Sequence, residues 1–330
     1  MTSHPATAGS PPAVFPLLAD GSLRLECTPA LVPLLHRWLP LLPYAHTPSV
    51  DTAAVIRIAA GDPARVDPAP GAPVVRLGAA EARVDAGAAR MTLHAAAGCA
   101  GVVDLAGGAA DFVVPPFVEA DAEATAWDLY SMCTVACALL LGRMHRALVH
   151  AAAIVAPGGG AWLLTGDTHA GKSTTCVNLI TAGWRFVSDD HVVLFRDAEG
   201  RLAVEGWPRR FHLDEGWEHG RPVHVRGEVD PHQRWPGQWV RSAPFAGILF
   251  PRVEAERPTE ISPARPADAL GALMRQSPWL LADRAQAPEI LAFLRSACER
   301  PAYSLRLGLD SYRDTDRLLR VLEPVTRGEG

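Results

Sequence analysis

Short apolar runs alternate with Gly, Pro and Asp through the first hundred residues of the chain. The clearest runs are 53–59, 74–77, 90–94 and 112–114. Strands separated by turns produce this pattern, because Gly, Pro and Asp favour the backbone conformations of turns. It predicts a β-rich domain over 17–115, ended by Pro115 and Pro116, which disfavour both helix and sheet. Residues 1–16, rich in Pro, Ala, Thr and Ser, are predicted to be a mobile tail.

The pattern changes after residue 116. The stretch from Ala120 to Arg146 contains no Pro and carries acidic residues early and basic residues late. Because the helix dipole favours this charge order, we predict one long and largely buried helix. The apolar runs 150–155 and 161–165 predict two strands, joined by a tight turn rich in Gly.

Beyond these strands, helices and strands are predicted to alternate. The expected helices are 173–182, 267–275, 287–298 and 311–322, and the expected strands are 184–187, 192–195, 246–250 and 302–307. Strand, loop, helix and strand in this order make a nucleotide-binding unit, which predicts an α/β domain over 116–330. Within it, 205–241 holds little periodic signal, so we predict a long functional loop with a helical turn or two.

Composition excludes several classes of function. A chain of 330 residues, 48% of them hydrophobic, can bury two cores, and a formal charge of −5 supplies no pull toward nucleic acid. Six cysteines without Cys-x-x-Cys spacing predict free buried thiols in a reducing cytosol. Met1 to Pro16 does not have the pattern of a secretory signal, and the apolar stretch 132–141 is shorter than the ~20 residues needed to span a bilayer. We expect a soluble, cytoplasmic protein that binds neither membrane nor nucleic acid.

A phosphate-binding loop follows the second predicted strand of the α/β domain. The sequence Gly-Asp-Thr-His-Ala-Gly-Lys-Ser satisfies G-x-x-x-x-G-K-[ST] in full, between a strand and a helix as the pattern requires. The two glycines let the backbone wrap around phosphate oxygens, and the helix N-terminus adds partial positive charge. The residues predicted to bind the phosphates are Gly166, Asp167, Thr168, His169, Ala170, Gly171, Lys172, Ser173 and Thr174.

Lys172 is the only lysine in the chain. A compact ammonium suits a point contact between two phosphates, whereas arginine suits planar bidentate pairing. Lys172 is therefore predicted to reach the β- and γ-phosphates of ATP, and the Ser173 hydroxyl to ligate Mg²⁺.

Two adjacent carboxylates, Asp189 and Asp190, come at the end of the next predicted strand. Like charges so close repel each other unless a cation or a proton lies between them. A bound Mg²⁺ would relieve the repulsion, and a substrate hydroxyl would give one carboxylate a role as base. An exposed Asp-Asp turn is the alternative interpretation.

Taken together, these residues resemble the C-terminal catalytic domain of HPr kinase/phosphorylase and its related kinases. The resemblance rests on His150 and Val155, on Thr165 to Thr175, on Leu179 and Gly183, and on Phe186 to Asp190. It is sharp over 145–195 and weaker as far as 310. It implies a fold similar to the ATP-dependent phosphoenolpyruvate carboxykinases, with a mixed sheet, and often a homo-oligomer. It also implies that Asp189 is the base, that Asp190 handles metal and phosphate, and that His150 lies near the phosphates.

The sequence also departs from that family. The closest match to the family's Glu-containing signature is Glu205 to Arg210, which does not align cleanly, so reverse phosphorylase activity and a metal-ligand role for Glu205 are not implied. The first 115 residues do not resemble the family's regulatory domain.

A cationic side chain is expected to stabilise the transferring phosphoryl group. The candidates are Arg209, Arg210, Arg234 and Arg241, of which we favour Arg209 and Arg210. They lie in 205–241 among Trp207, Trp217, Trp235 and Trp239, which either form a recognition surface for a peptide or anchor the segment to the body of the protein.

Three functions fit these residues. The first is a kinase that phosphorylates a serine of a peptide or protein; some similar kinases tailor ribosomally made precursors, including lasso peptides. The second is a kinase of a small hydroxylated metabolite, and the third is a nucleotide-binding regulator or NTP hydrolase. The aspartate pair favours a phosphotransferase with an alcohol acceptor, because a binding module needs no base.

Overall fold

The structure, a computed structural model, describes residues 11–39, 52–66, 74–77, 80–85, 89–167, 169–206, 211–214, 217–218, 221–222 and 226–327. The chain divides into two compact units. The first comprises Met1–Met144 with Pro278–Ala287, and the second comprises His145–Ser277 with Pro288–Gly330. This division falls after the long predicted helix, whereas the predicted domain boundary at Pro115 and Pro116 falls before it.

An eight-stranded mixed sheet forms most of the first unit, in the order β1-β2-β3-β8-β7-β6-β5-β4. The strands are β1 (Ala13–Pro16), β2 (Leu23–Cys27), β3 (Ala54–Ala60), β4 (Val74–Leu77), β5 (Ala80–Asp85), β6 (Arg90–Ala95), β7 (Ala100–Asp104) and β8 (Ala109–Val114). The predicted β-rich character is confirmed. The tail prediction was wrong for Ala13–Pro16, because this apolar segment pairs with β2. Residues 1–10 lie outside the described ranges.

Helices α1 (Val32–Leu35) and α2 (Ala122–Arg143) complete the first unit, with single 3-10 turns at Pro29–Leu31, Pro63–Arg65, Glu119–Asp121 and Pro278–Leu281. Helix α2 packs against β3, β5, β6 and β8, which is why it belongs with this sheet. Residues Glu119–Arg143 are long and apolar enough to cross a bilayer, but 89% of their apolar window is buried inside the protein. Helix α2 extends beyond the apolar stretch 132–141 noted in the sequence. Its buried residues include the polar side chains of Thr125, Ser131 and Thr134.

The second unit contains the remaining elements. Its strands are β9 (Ala147–His150), β10 (Ala152–Val155), β11 (Ala161–Leu164), β12 (Arg185–Ser188), β13 (His191–Arg196), β14 (Leu202–Gly206), β15 (Phe211–Asp214), β16 (Trp217–Glu218), β17 (Arg221–Pro222), β18 (Arg226–Val229), β19 (Ser242–Val253), β20 (Glu260–Pro263) and β21 (Ala302–Leu307). Its helices are α3 (Lys172–Thr181), α4 (Pro231–Arg234), α5 (Pro266–Arg275), α6 (Ala287–Ala297), α7 (Leu309–Arg313) and α8 (Thr315–Thr326). Most predicted bounds hold to within one residue. The predicted helix 311–322 is instead two helices, because Asp314 is extended and its side chain caps α8.

Five strands of the second unit run in one direction: β11, β12, β13, β19 and β21. The main sheet has the order β12-β10-β11-β19-β14-β13-β9, with β21 added to β19 and β20 to β21. Strand β10 is antiparallel to both β11 and β12, while β19 is parallel to both β11 and β21. The carboxyl ends of β11, β12, β19 and β21 therefore meet at one edge of a mixed sheet. The predicted mixed sheet is confirmed.

Two extended segments of this sheet are each interrupted, and the two interruptions face each other. The run 150–155, predicted as one strand, is β9 and β10 separated by Ala151. Facing this break, Asp189 and Asp190 separate β12 from β13. His150 pairs with His191 before the break and Ala153 pairs with Ser188 after it. Both segments therefore leave the ladder at the same place. Such interruptions of a ladder re-aim side chains, which sets the geometry of the carboxylates.

The segment 205–241 is more ordered than predicted. Strands β15 and β18 pair with each other, as do β16 and β17, and α4 follows. Trp235 is buried in the core beneath α3, and the indole of Trp239 donates to the carbonyl of Val187 at 3.2 Å. For these two tryptophans the anchoring interpretation is confirmed. Trp207 and the side chain of Trp217 lie outside what the structure describes.

Two glycine substitutions should change stability in opposite directions. A Cβ on Gly206 would lie 2.2 Å from the carbonyl oxygen of Val187, so Gly206→Ala forces β12 and β14 apart. We expect it to lower the free energy of unfolding by about 1–3 kcal/mol or more. In Gly271→Ala, the control in α5, the new Cβ meets nothing nearer than the Arg275 guanidinium at 3.7 Å. It should raise that free energy by about 0.5–1 kcal/mol. Urea unfolding of both variants measures the difference, and equal effects would contradict this close strand contact.

Candidate active site

The phosphate loop is held tightly against the ends of two strands. Gly171 ends the loop and precedes α3 with φ of 96°, a left-handed conformation that glycine adopts without strain. A Cβ here would lie 2.8 Å from Leu307 and 3.1 Å from Val253, which end β21 and β19. No side chain caps α3 within the described residues, so its first N–H groups remain available to an anion.

Lys172 lies inside this loop. Its ammonium donates to the carbonyl of Gly166 at 2.8 Å and to that of Asp167 at 3.1 Å, and the residue is 9% exposed. Burial lowers the pKa of Lys172, while the charges of Asp190 and Asp167 favour its protonated form. The fold therefore brings the ammonium into electrostatic range of Asp190.

The carboxylate of Asp190 lies between two imidazoles. Its Oδ1 is 3.1 Å from Nε2 of His150 and its Oδ2 is 2.5 Å from Nδ1 of His191. The two rings stack with centroids 5.3 Å apart, because the residues are cross-strand partners in β9 and β13. A carboxylate has about four lone-pair sites and can accept from several partners at once.

Asp189 is the more buried of the two carboxylates. The residue is 4% exposed, whereas the Asp190 side chain is 27% exposed. Its charge acts on Cys176 of α3, whose thiol pKa is raised chiefly by burial and further by Asp189. Asp189 therefore lies close to the helix that follows the phosphate loop. An exposed Asp-Asp turn, the alternative interpretation, does not describe this pair.

The oxygen donors at this edge of the sheet fit magnesium and a nucleotide. Within the described ranges, no group of three His, Cys, Asp or Glu side chains could hold a metal by itself. Nucleotide-bound Mg²⁺ needs only one or two protein oxygens beside the phosphates. The Ser173 hydroxyl in the first turn of α3 and the Asp190 carboxylate are donors of the right kind, and the uncapped helix and Lys172 suit the phosphates.

The remaining predicted site residues are either outside the described ranges or engaged with other partners. Thr168, Arg209 and Arg210 lie outside the described residues, so their roles remain predictions. Arg241 forms a buried ion pair with Glu205 at 2.8 Å, and the Arg234 guanidinium lies 5.1 Å from the centre of the Trp235 ring.

Sequence reasoning missed two neighbours of the site, His191 and Tyr312. His191 immediately follows the aspartate pair, which was a usable signal. Tyr312, whose hydroxyl donates to Thr174 at 3.1 Å, lies 138 residues further along the chain and left no local signal.

Comparisons with known proteins add a distant likeness. No protein-family model and no curated protein matches the chain. Among solved structures, the chain is similar to the HPr(Ser) kinase/phosphatase from Coxiella burnetii, with 14% sequence identity over 55% of this chain and 95% of that chain. The TM-score is 0.32. At this level of similarity the likeness assigns no function to this chain.

Acylation of the single lysine should report nucleotide binding directly. Since Lys172 donates into the loop, phosphates bound there should shield it from an amine-reactive ester. With MgATP at ten times its Kd, we expect Lys172 to react roughly tenfold more slowly, because only the free protein reacts. Peptide mass spectrometry measures the rate, and the α-amino group of the same chain is the internal control. An unchanged Lys172 rate would place the nucleotide elsewhere.

Proposed function

We propose that this protein is an ATP-dependent kinase that transfers the γ-phosphate to a hydroxyl group. The observation that carries the proposal is the meeting of the loop 166–173 and the pair Asp189–Asp190 at one sheet edge, with Asp190 close enough to act on the charge of Lys172. A phosphate-binding loop alone supports nucleotide binding. A buried acidic pair beside it supports transfer to an acceptor.

Each residue has a proposed role. Lys172 and the first N–H groups of α3 would bind the β- and γ-phosphates, and Ser173 with Asp190 would hold Mg²⁺, whose charge would neutralise that of the transferring group. His150 and His191 fix the carboxylate of Asp190. Asp189 orients the acceptor hydroxyl and takes its proton, and Arg209 or Arg210 stabilises the transferring group. Positioning and charge neutralisation supply most of the catalysis in this scheme.

The proposed acceptor is a serine of a peptide or protein, including a ribosomally made precursor of the lasso type. Strand β15 of the segment 205–241 contacts α3, and this contact supports the proposal that the segment holds the polypeptide. Because the donor is ATP, we propose that the protein acts in the cytoplasm. A small hydroxylated metabolite as acceptor and simple NTP hydrolysis are the other outcomes that the following experiment separates.

The test is incubation of the protein with MgATP and serine-containing peptides, including the product of any small reading frame next to the gene, followed by mass spectrometry. We expect phosphate on a peptide serine, lost by roughly 10²-fold or more in Asp189→Asn, since a general base contributes about 10²–10⁴-fold. Asp111→Asn, an exposed aspartate of the first unit, is the matched control and should keep full activity.

Three results would count against the proposal. Consumption of ATP without a modified peptide would indicate a metabolite kinase or a hydrolase. Full activity in Asp189→Asn would remove Asp189 as the base. Failure of the wild-type protein to bind MgATP would exclude an ATP-dependent kinase.

The role of His191 can be separated from its packing. His191→Asn keeps a donor near the position of Nδ1, whereas His191→Leu keeps side-chain volume without a donor. Because Asp190 loses one partner in the leucine variant, we expect its kcat to fall roughly tenfold below that of the asparagine variant. The Kd for ATP should stay the same in both variants. If kcat is equal in the two variants, His191 does not fix Asp190.

A further inference from the structure

The edge of the sheet that carries the phosphate loop has two different sides. Strand β12, which leads into the acidic pair, lies on one side of β11, and β19 and β21 lie on the other. The carboxyl ends of all four strands meet at this edge. The acidic side is charged and buried. The side formed by β19, β21 and the residues that follow them exposes large apolar side chains among charged ones such as Arg252 and Arg257.

Three large apolar side chains are exposed on that second side. Val253 is 44% exposed, Leu309 38% and Tyr312 41%, and they make up three of the ten large hydrophobic side chains recorded as exposed among the described residues. Leu309 and Tyr312 are three residues apart in α7 and so lie on one face. We call Val253, Leu309 and Tyr312 the apolar shelf. An exposed apolar patch with a polar rim is a feature of ligand-binding grooves.

The apolar shelf touches the phosphate loop. The hydroxyl of Tyr312 donates to Oγ1 of Thr174, in the first turn of α3, at 3.1 Å. Val253 lies 3.1 Å from the position of a Cβ on Gly171. Tyr312 is therefore bonded directly to the first turn of α3, whose backbone N–H groups are proposed to bind the phosphates.

The backbone under the shelf is held in place. The carboxylate of Asp310 accepts from the amide of Thr259 at 3.0 Å and from its hydroxyl at 2.5 Å. The Thr259 hydroxyl in turn accepts from the amide of Gly308 at 3.0 Å. These bonds fix the start of α7 to a neighbouring segment. Because the backbone that carries Tyr312 is already ordered, a ligand that binds its ring pays little conformational entropy.

We propose that the apolar shelf, with Tyr312 as its stacking surface, is the subsite for the purine base of the nucleotide whose phosphates bind at 166–173. This inference rests on the proposed function and adds the position of the base to it. A nucleotide is a linear molecule, and its terminal phosphate must face the acidic pair, where the acceptor hydroxyl is activated. Its base then extends along the sheet edge away from β12, toward β19 and β21. The aromatic face and two aliphatic side chains there match the apolar faces of a purine.

The test compares two ligands that share phosphates and differ in the nucleoside. Calorimetry gives the Kd of MgATP and of magnesium tripolyphosphate for the wild type, Tyr312→Ala and Tyr312→Phe. We expect the alanine variant to bind ATP roughly tenfold more weakly, since a base stacked on an aromatic ring contributes about 1–3 kcal/mol. Its affinity for tripolyphosphate should not change. The phenylalanine variant keeps the ring, loses the bond to Thr174 and should bind ATP nearly as the wild type does.

Each other result overturns the inference in a recognisable way. Unchanged ATP affinity in Tyr312→Ala, or equal affinity of the wild type for ATP and tripolyphosphate, would mean that the base gains nothing at the shelf, with the proposed function intact. Parallel weakening of both ligands would mean that Tyr312 supports the loop through Thr174. A wild type that binds neither ligand would remove the proposed function and the subsite together. Thermal unfolding of each variant verifies that it is folded.

Discussion

The shared direction of β11, β12, β19 and β21 is the constraint on which the candidate site depends. Strands of one sheet that run in the same direction bring their carboxyl ends to one edge, and a different part of the site follows each of these strands. Strand β11 leads into the phosphate loop and β12 into the acidic pair, while β19 and β21 supply the walls that Gly171 touches. No local feature of the loop could bring the carboxylates to it if β12 ran the other way.

Interruptions of the strands then set the positions of the ionisable side chains more closely than strand direction alone. The breaks at Ala151 and at the aspartate pair face each other, so the chain turns out of both ladders at once. This arrangement sets His150 and His191 on adjacent strands with Asp190 between them. In a regular strand the neighbours Asp190 and His191 would point to opposite faces of the sheet. The irregularity therefore concentrates ionisable groups at one point.

Local signals made a large part of this arrangement predictable. The spacing of two glycines, Lys172 and Ser173 between a strand and a helix identified the loop, because each of those preferences acts over a few residues. Most helix and strand bounds followed from periodicity for the same reason. The aspartate pair stood out because two adjacent carboxylates need an explanation wherever they occur.

What the sequence did not reveal depends on partners distant in the chain. The break at Ala151 cannot be read from an unbroken apolar run, since it is defined by a change of pairing with the opposing strand. The small strands of 205–241 pair with each other over segments of two to four residues, which are too short to carry a periodic signal. Tyr312 reaches Thr174 across 138 residues, and a helix of five residues gives no hint of that contact.

The strands that shape the phosphate loop come late in the chain, and this affects how the protein assembles. Strand β11 ends at Leu164, but its parallel neighbour β19 begins at Ser242 and β21 at Ala302. During synthesis the whole loop motif leaves the ribosome long before either strand exists. Non-local pairing of this kind is intrinsically slow, because the chain must close a large loop before the contacts stabilise it. A fragment that ends before Ser242 would carry every residue of the motif and still lack the walls that give the loop its shape.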